Sequence, residues 1–146
     1  MTSDTAGFRV RLADWQADAE ALRAIRHAVF VVEQQVPADL EWDGVDGACR
    51  HAIAENLRGE AIGCGRLLAD GHIGRMAVRA PWRGRGVGAA LLIQLVELAR
   101  ETGLRRVVLN AQTHALPFYG RHGFVARGSE FVEAGIPHQE MVRDLT

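Results

Sequence analysis

The sequence predicts a mixed α/β (α+β) domain, and three observations carry the prediction. Hydrophobic periodicity switches along the chain between the two-residue period of strands and the 3.6-residue period of helices. The switches give the order βαβββαβαββ, with no repeat, linker or low-complexity stretch between elements. At 146 residues and 48% hydrophobic, the chain can bury one core and is too short for two ordinary ones, so residues 1–146 are read as a single domain.

Each element has a local reason. Phe8 to Ala13 alternates apolar and charged side chains, the period of a half-buried strand. Leu22, Ile25, Val29 and Val32 then recur at helical spacing, which predicts an amphipathic helix over 15–32. An acidic loop, Glu33 to Gly47, is expected to be exposed. Two strand-like runs, 50–56 and 61–69, flank the turn signal Leu57-Arg58-Gly59-Glu60 and predict an antiparallel hairpin. Asp70-Gly71 turns the chain into a third strand, Ile73 to Val78, which Pro81 ends. The clearest helix is 86–102, with Ala89, Leu92, Val96 and Ala99 on one face and Gly103 as its cap. A buried strand (106–112), a short helix (116–122) and a closing strand pair (124–132 and 138–145, joined through Gly135-Ile136-Pro137) complete the chain.

Composition excludes several functions. A formal net charge of -1 lacks the cationic excess that wrapping a nucleic acid requires. All 17 basic residues are Arg, so neither a Walker A lysine nor a Schiff-base lysine is available. Cys49 and Cys64 are isolated and read as reduced core residues. The histidines form no pattern of metal-ligand spacing, and no metal is expected. No apolar run reaches the ~20 residues of a membrane span, and Met1 to Gly7 lacks the basic start and apolar core of a signal peptide. A cytoplasmic protein without a membrane partner is the expectation.

The chemistry concentrates where the strand ending at Val78 passes through Arg83-Gly84-Arg85-Gly86-Val87-Gly88 into the long helix. Glycines at 84, 86 and 88 remove side chains that would hold an anion away. Successive backbone N–H groups can then point at phosphate oxygens, with the helix dipole adding to them. Charge-assisted bonds of this kind contribute roughly 1.5 to 3 kcal/mol each, enough in combination to hold a pyrophosphate without a metal. Without an anion between them, Arg83 and Arg85 are expected to repel. A dinucleotide fingerprint is the rival reading of Gly84-x-Gly86-x-x-Ala89. It fails on context, because it should directly follow the first strand of a βαβ unit and be answered by an acidic residue about 20 positions on.

Arg83-x-x-Gly86-x-Gly88, preceded by Met76-Ala77-Val78 and Pro81, resembles the acetyl-CoA signature of the GNAT N-acetyltransferase superfamily. Ala115, Phe118-Tyr119 and Gly123-Phe124 extend the resemblance, so it covers residues 72 to 124. Phe30 to Gln34, His51, Ala111-Gln112 and Gly135-Ile136-Pro137-His138 are similar to the small bacterial ElaA-like and YjcF-like group. Gln112 departs from the Asn that many members carry there.

The resemblance implies a strongly twisted mixed sheet of about seven strands flanked by about four helices. It implies an acetyl group moved from acetyl-CoA, used as acyl-donor substrate, to a primary amine of a small molecule or peptide. Met76, Ala77 and Val78 would pair with the pantetheine arm as an added strand. Arg83, Gly84, Arg85, Gly86, Val87 and Gly88 would take the pyrophosphate, with Gln112 and Phe118 along the arm. Tyr119 would protonate the departing thiolate. Glu33 would recognise or deprotonate the acceptor, in a pocket shared with His51, Arg75, Asn110 and His138. A homodimer is compatible with this reading, and a non-catalytic acyl-CoA sensor is the alternative.

Overall fold

Among the described residues seven strands and four α-helices form, all but the short second helix in the order the periodicity predicts, and hydrogen bonding divides the strands into two sheets. The structure is a computed structural model describing residues 7–146, so residues 1–6, part of the stretch read for a leader, lie outside it. The first sheet is antiparallel in the order β1 (Phe8–Ala13), β2 (Arg50–Asn56), β3 (Ala61–Leu67), β4 (Ile73–Val78). The second places β7 (Ile136–Asp144) between β5 (Arg106–Gln112) and β6 (Val125–Glu133), again antiparallel.

Helices cover both faces of the first sheet. Leu91, Leu92, Leu95 and Ala99 of α3 (Val87–Glu101) pack with Ala52 and Ala54 of β2 in one core cluster. Leu22 and Ile25 of α1 (Trp15–Arg26) pack with Ile53, Cys64 and Ala77 in a second. A strand buried on both faces has little reason to alternate with polar residues, which is why 52–54 and 61–64 read as continuous apolar runs. Full burial of a Leu or Ile contributes about 1.5–3 kcal/mol, so these clusters dominate the fold's stability. Cys64 is buried as expected, whereas Cys49 is only half-buried.

The two sheets meet at one point. Val108 N–H donates to Gly71 O at 3.0 Å beside a lone parallel bridge between His72 and Val108. Gly71 is required there: its φ is +99°, and a Cβ on it would stand 2.7 Å from Arg106 O. Further along, β4 bulges. Cys64 faces Ala77 and Arg66 faces Gly74, which leaves Arg75 and Met76 opposite Gly65, with Arg75 at φ +50°. No ladder joins β4 to β5 past the bridge.

Two expectations need correction. The helix predicted over 15–32 is α-helical only to Arg26, and His27–Glu33 continues as a π-helix in which Gln34 N–H reaches Val29 O at 3.0 Å. The loop that follows is exposed over most of its length, but not all of its carboxylates are solvated. It contains α2 (Ala38–Glu41), and Glu41 and Asp46 are buried at 3% and 6% exposure. Arg26, 1% exposed, donates from Nε to Glu41 (2.6 Å) and from Nη1 to Asp46 (2.7 Å), while stacking over Trp42. Arg66 of β3 forks to Asp46 (2.9 Å) and Asp43 (2.5 Å), and Arg75 adds Glu41 and Asp43, both at 3.2 Å. The hydrogen bond from Arg66 holds the Asp43 carboxyl well below the usual carboxylate range.

Three arginines from α1, β3 and β4 thus neutralise three carboxylates and fasten the loop to the sheet. Removing one partner of a buried pair leaves an uncompensated charge and costs about 3–5 kcal/mol. Arg26→Ala should therefore lower the thermal midpoint by roughly 6–20 °C, at ~2–4 °C per kcal/mol for a chain of this size. Circular dichroism melts that differ by less than about 2 °C, under 1 kcal/mol on that scale, would contradict a structural role for the cluster.

Candidate active site

Parting of β4 and β5 opens a cleft of about 870 Å³ between the sheets. One wall is β4, with Gly74, Arg75, Met76, Ala77 and Val78, and the other carries Asn110 and Gln112 of β5 with His138 of β7. Phase along β4 follows from one bond. Arg79 N–H donates to Ile62 O at 2.8 Å, so Val78, one residue back in an antiparallel ladder, turns its N–H and C=O away from β3 and into the cleft. An extended ligand backbone could pair with that edge.

A recess of about 390 Å³ continues from the cleft, sharing Val78, Arg83, Gly88 and Phe118 with it and adding Gly84, Gly86 and Val87. Gly84 and Gly86 have φ of +75° and +86°, and a Cβ on either would meet nothing within 4 Å. Their surroundings are open, as an anion would need. Ala90 N–H bonds Gly86 O at 3.0 Å, so the amides of Val87, Gly88 and Ala89 precede the first intrahelical bond of α3 and are unclaimed by it. Val87 itself can offer only backbone, since its side chain is 1% exposed in the core.

The two arginines of the turn are drawn to separate partners rather than left facing each other, contrary to expectation. Arg83 forks onto Glu33 at 2.5 and 2.7 Å and donates from Nε to Val78 O at 3.0 Å. Arg85 stacks over Trp82, 4.9 Å from the ring centre, and lines neither space. Glu33 is therefore a partner of Arg83. The hydrogen bond from Arg83 holds its carboxyl below the usual range, which lowers its basicity while the pair persists.

Other expected residues divide. Tyr119 is half-buried on α4 (Leu116–Gly120), edge-on to Phe118 and Phe124 at 5.0 and 6.0 Å. Burial pushes its hydroxyl up to about 12, so the group keeps its proton at neutral pH. It lines the cleft with Phe118. His51 does not. It is buried on β2, stacked on Trp15 at 5.0 Å with Nε2 2.9 Å from Asp46 O, and belongs to the support of the ionic cluster. Arg75 lines the cleft while its guanidinium serves that same cluster.

Sequence reasoning missed Gln34 as a site residue. It accepts from Gln112 Nε2 at 2.9 Å, a contact from the π-helix to β5, while Glu33 reaches the turn after β4. Phe30, Glu33 and Gln34 stand at i, i+3 and i+4, and that spacing was the available signal that one face of the segment meets the cleft. Glu133, Ala134 and His114 at the rim were also unforeseen.

Among the described residues no group of His, Cys, Asp and Glu could hold a metal ion, and no helix is long and apolar enough to cross a membrane. The acetyltransferase (GNAT) domain family matches residues 16–145. The uncharacterized N-acetyltransferase YjcF of Bacillus subtilis is 39% identical over 124 residues, covering 82% of this chain and 88% of that protein. An acyl-CoA N-acyltransferase from Pseudomonas aeruginosa superposes with a TM-score of 0.83 at 34% identity, over 93% of this chain and 99% of the other. Escherichia coli ElaA does so at 0.79 and 30%, over 92% and 99%. The expected resemblance to the ElaA-like and YjcF-like proteins is borne out, and the chain belongs to the GNAT acetyltransferase family.

Proposed function

We propose that this protein moves an acetyl group from acetyl-CoA to a primary amine of a small molecule or peptide, by direct attack of the amine on the thioester. The observation that carries this reading is the continuity of the strand edge at Val78, whose N–H faces the cleft and whose C=O takes only Arg83 Nε, with a turn of open amides at Gly84 to Gly88. The donor would lie as an added strand along Met76 to Val78, with Gln112 and Phe118 beside the arm and the pyrophosphate on the turn. Arg83 would offer a remaining guanidinium N–H to a phosphate oxygen while keeping its fork on Glu33, and Arg85, stacked on Trp82, contributes little.

The thioester would then lie in the cleft near Tyr119, a protonated hydroxyl with no hydrogen-bond partner among the described residues. As the C–S bond breaks, Tyr119 gives its proton to sulfur. Neither cysteine lines the cleft, so no covalent enzyme intermediate is required. Neutralisation of Glu41, Asp43 and Asp46 by Arg26, Arg66 and Arg75 leaves these carboxylates no surplus charge with which to select a cationic acceptor.

Release of free CoA thiol across a panel of primary amines tests the reaction, and Tyr119→Phe tests the proton donor. This variant keeps the ring and its packing, so CoA binding should survive while turnover falls by roughly 10² to 10⁴. Turnover within about twofold of wild type, far inside that loss, would return Tyr119 to a packing role. A second variant tests the turn. Gly86→Val should weaken CoA ~10-fold or more by blocking at least one charge-assisted bond, and Arg85→Ala should weaken it less. Equal effects of the two by calorimetry would contradict backbone capture.

A further inference from the structure

We infer that His138 is the general base that takes the proton from the acceptor ammonium, an inference that rests on the transferase reading above. His138 lies on β7, between Gln112 of β5 and Phe131 of β6 in the register of the second sheet, and lines the cleft. Its ring is 7% exposed and stacked on Phe131, with centroids 5.8 Å apart and 20° between planes. Nδ1 is 2.7 Å from Ile136 O. A carbonyl oxygen only accepts, so Nδ1 carries the hydrogen, and the neutral form of the ring has its lone pair at Nε2.

That nitrogen has no hydrogen-bond partner among the described residues. It is also not sealed off. The buried side-chain atoms lacking a partner there are Arg66 Nε and Arg75 Nε, and His138 Nε2 is not among them. The ring is thus fixed in tautomer and orientation by the wall behind it, with its one free basic atom left to the cleft. This is how a general base must be held to act repeatedly on a bound substrate.

The other titratable groups of the cleft are either committed elsewhere or not held in place. Both oxygens of Glu33 take Arg83, and Glu41 is held by Arg26 and Arg75. His72 pairs with Asp70 at 3.0 Å, at the closed end where the sheets meet. His114 and Glu133 are exposed, with no hydrogen bond to fix their orientation. Tyr119 carries its proton, and the arginines are always protonated.

The proton count closes. His138 Nε2 accepts a proton from the ammonium and frees the nitrogen lone pair, which forms the C–N bond at the thioester carbonyl. The C–S bond breaks with its electrons on sulfur, and Tyr119 donates its hydroxyl proton there. The excess proton on the new amide nitrogen restores Tyr119, and the proton on His138 passes to solvent. One amide, one thiol and one proton leave.

The test compares two acceptors of nearly equal size at neutral pH, each with acetyl-CoA. Ethylamine is an ammonium ion there and needs a base, whereas 2,2,2-trifluoroethylamine is already neutral. In His138→Asn the amide can keep the bond to Ile136 O while the basic atom is lost. The expected result is a fall of about 10² to 10³ in thiol release with ethylamine. With trifluoroethylamine the fall should stay within about tenfold, and CoA affinity by calorimetry should be unchanged. Should His138→Asn fold poorly, His138→Ala decides, because added imidazole should restore its rate with ethylamine and leave CoA affinity as it was. Equal losses with both amines, or no recovery with imidazole, would overturn the assignment of His138. Wild-type protein that binds CoA yet releases no thiol with either amine or with the wider panel would instead overturn the transferase reading.

Discussion

The whole site depends on two neighbouring parallel strands meeting at one end and separating at the other. Gly71 and Val108 make that join, and the left-handed turn at Gly71 brings the backbones within bonding distance where a side chain would collide with Arg106 O. From there the bulge at Arg75 turns β4 off the path that would pair it with β5. Unpaired strand edges are ordinarily a hazard, because they invite association. Here the edge lies inside a cleft roofed by the π-helical segment, which bonds Arg83 after β4 through Glu33 and Gln112 of β5 through Gln34.

A second constraint supports the first. Arg75 sits at the bulge in a backbone conformation that non-glycine residues rarely adopt, a cost of order 1–3 kcal/mol. Its guanidinium is anchored by the carboxylates of Glu41 and Asp43 and by the Leu40 and Glu41 carbonyls at the end of α2. The ionic cluster therefore holds the loop to the first sheet and the bulge in its strained state together. Burying Arg26, Arg66, Glu41 and Asp46 is expensive, and a well-packed apolar substitute would often be as stable. What the charges add is direction, since each guanidinium fork fixes the angle at which loop and strand meet.

Much of this was legible in the sequence because it depends on local pattern. Strand periods, the glycines at 84, 86 and 88, and the helix stripe of 86–102 are properties of neighbouring residues, and the elements formed where the pattern put them. Contacts across long separations were less legible. The ion pair of Arg83 with Glu33 joins residues 50 positions apart, and Gln34 meets Gln112 across 78. The acidic loop misled for a related reason: its carboxylates are matched by arginines on three separate elements, which composition of the loop alone cannot reveal. One clue was present. Arg26 stands in phase with Leu22, Ile25 and Val29 on the apolar face of its helix, where a charge must find a buried partner. His51 and His138 show the limit of residue type as a guide, since both are buried beside carbonyls but only one lines the cleft.

The central claim is that the parted edge of β4 and the turn beyond it form one continuous binding surface for acyl-CoA. Amide hydrogen exchange with and without CoA tests it most directly, because exchange reports on each backbone N–H the ligand would engage. The account predicts slower exchange at Val78 and at the amides of Gly84 to Gly88 together, with the amides of β1 and β2 unchanged. Protection confined to other segments, or protection of the turn with Val78 left free, would contradict it.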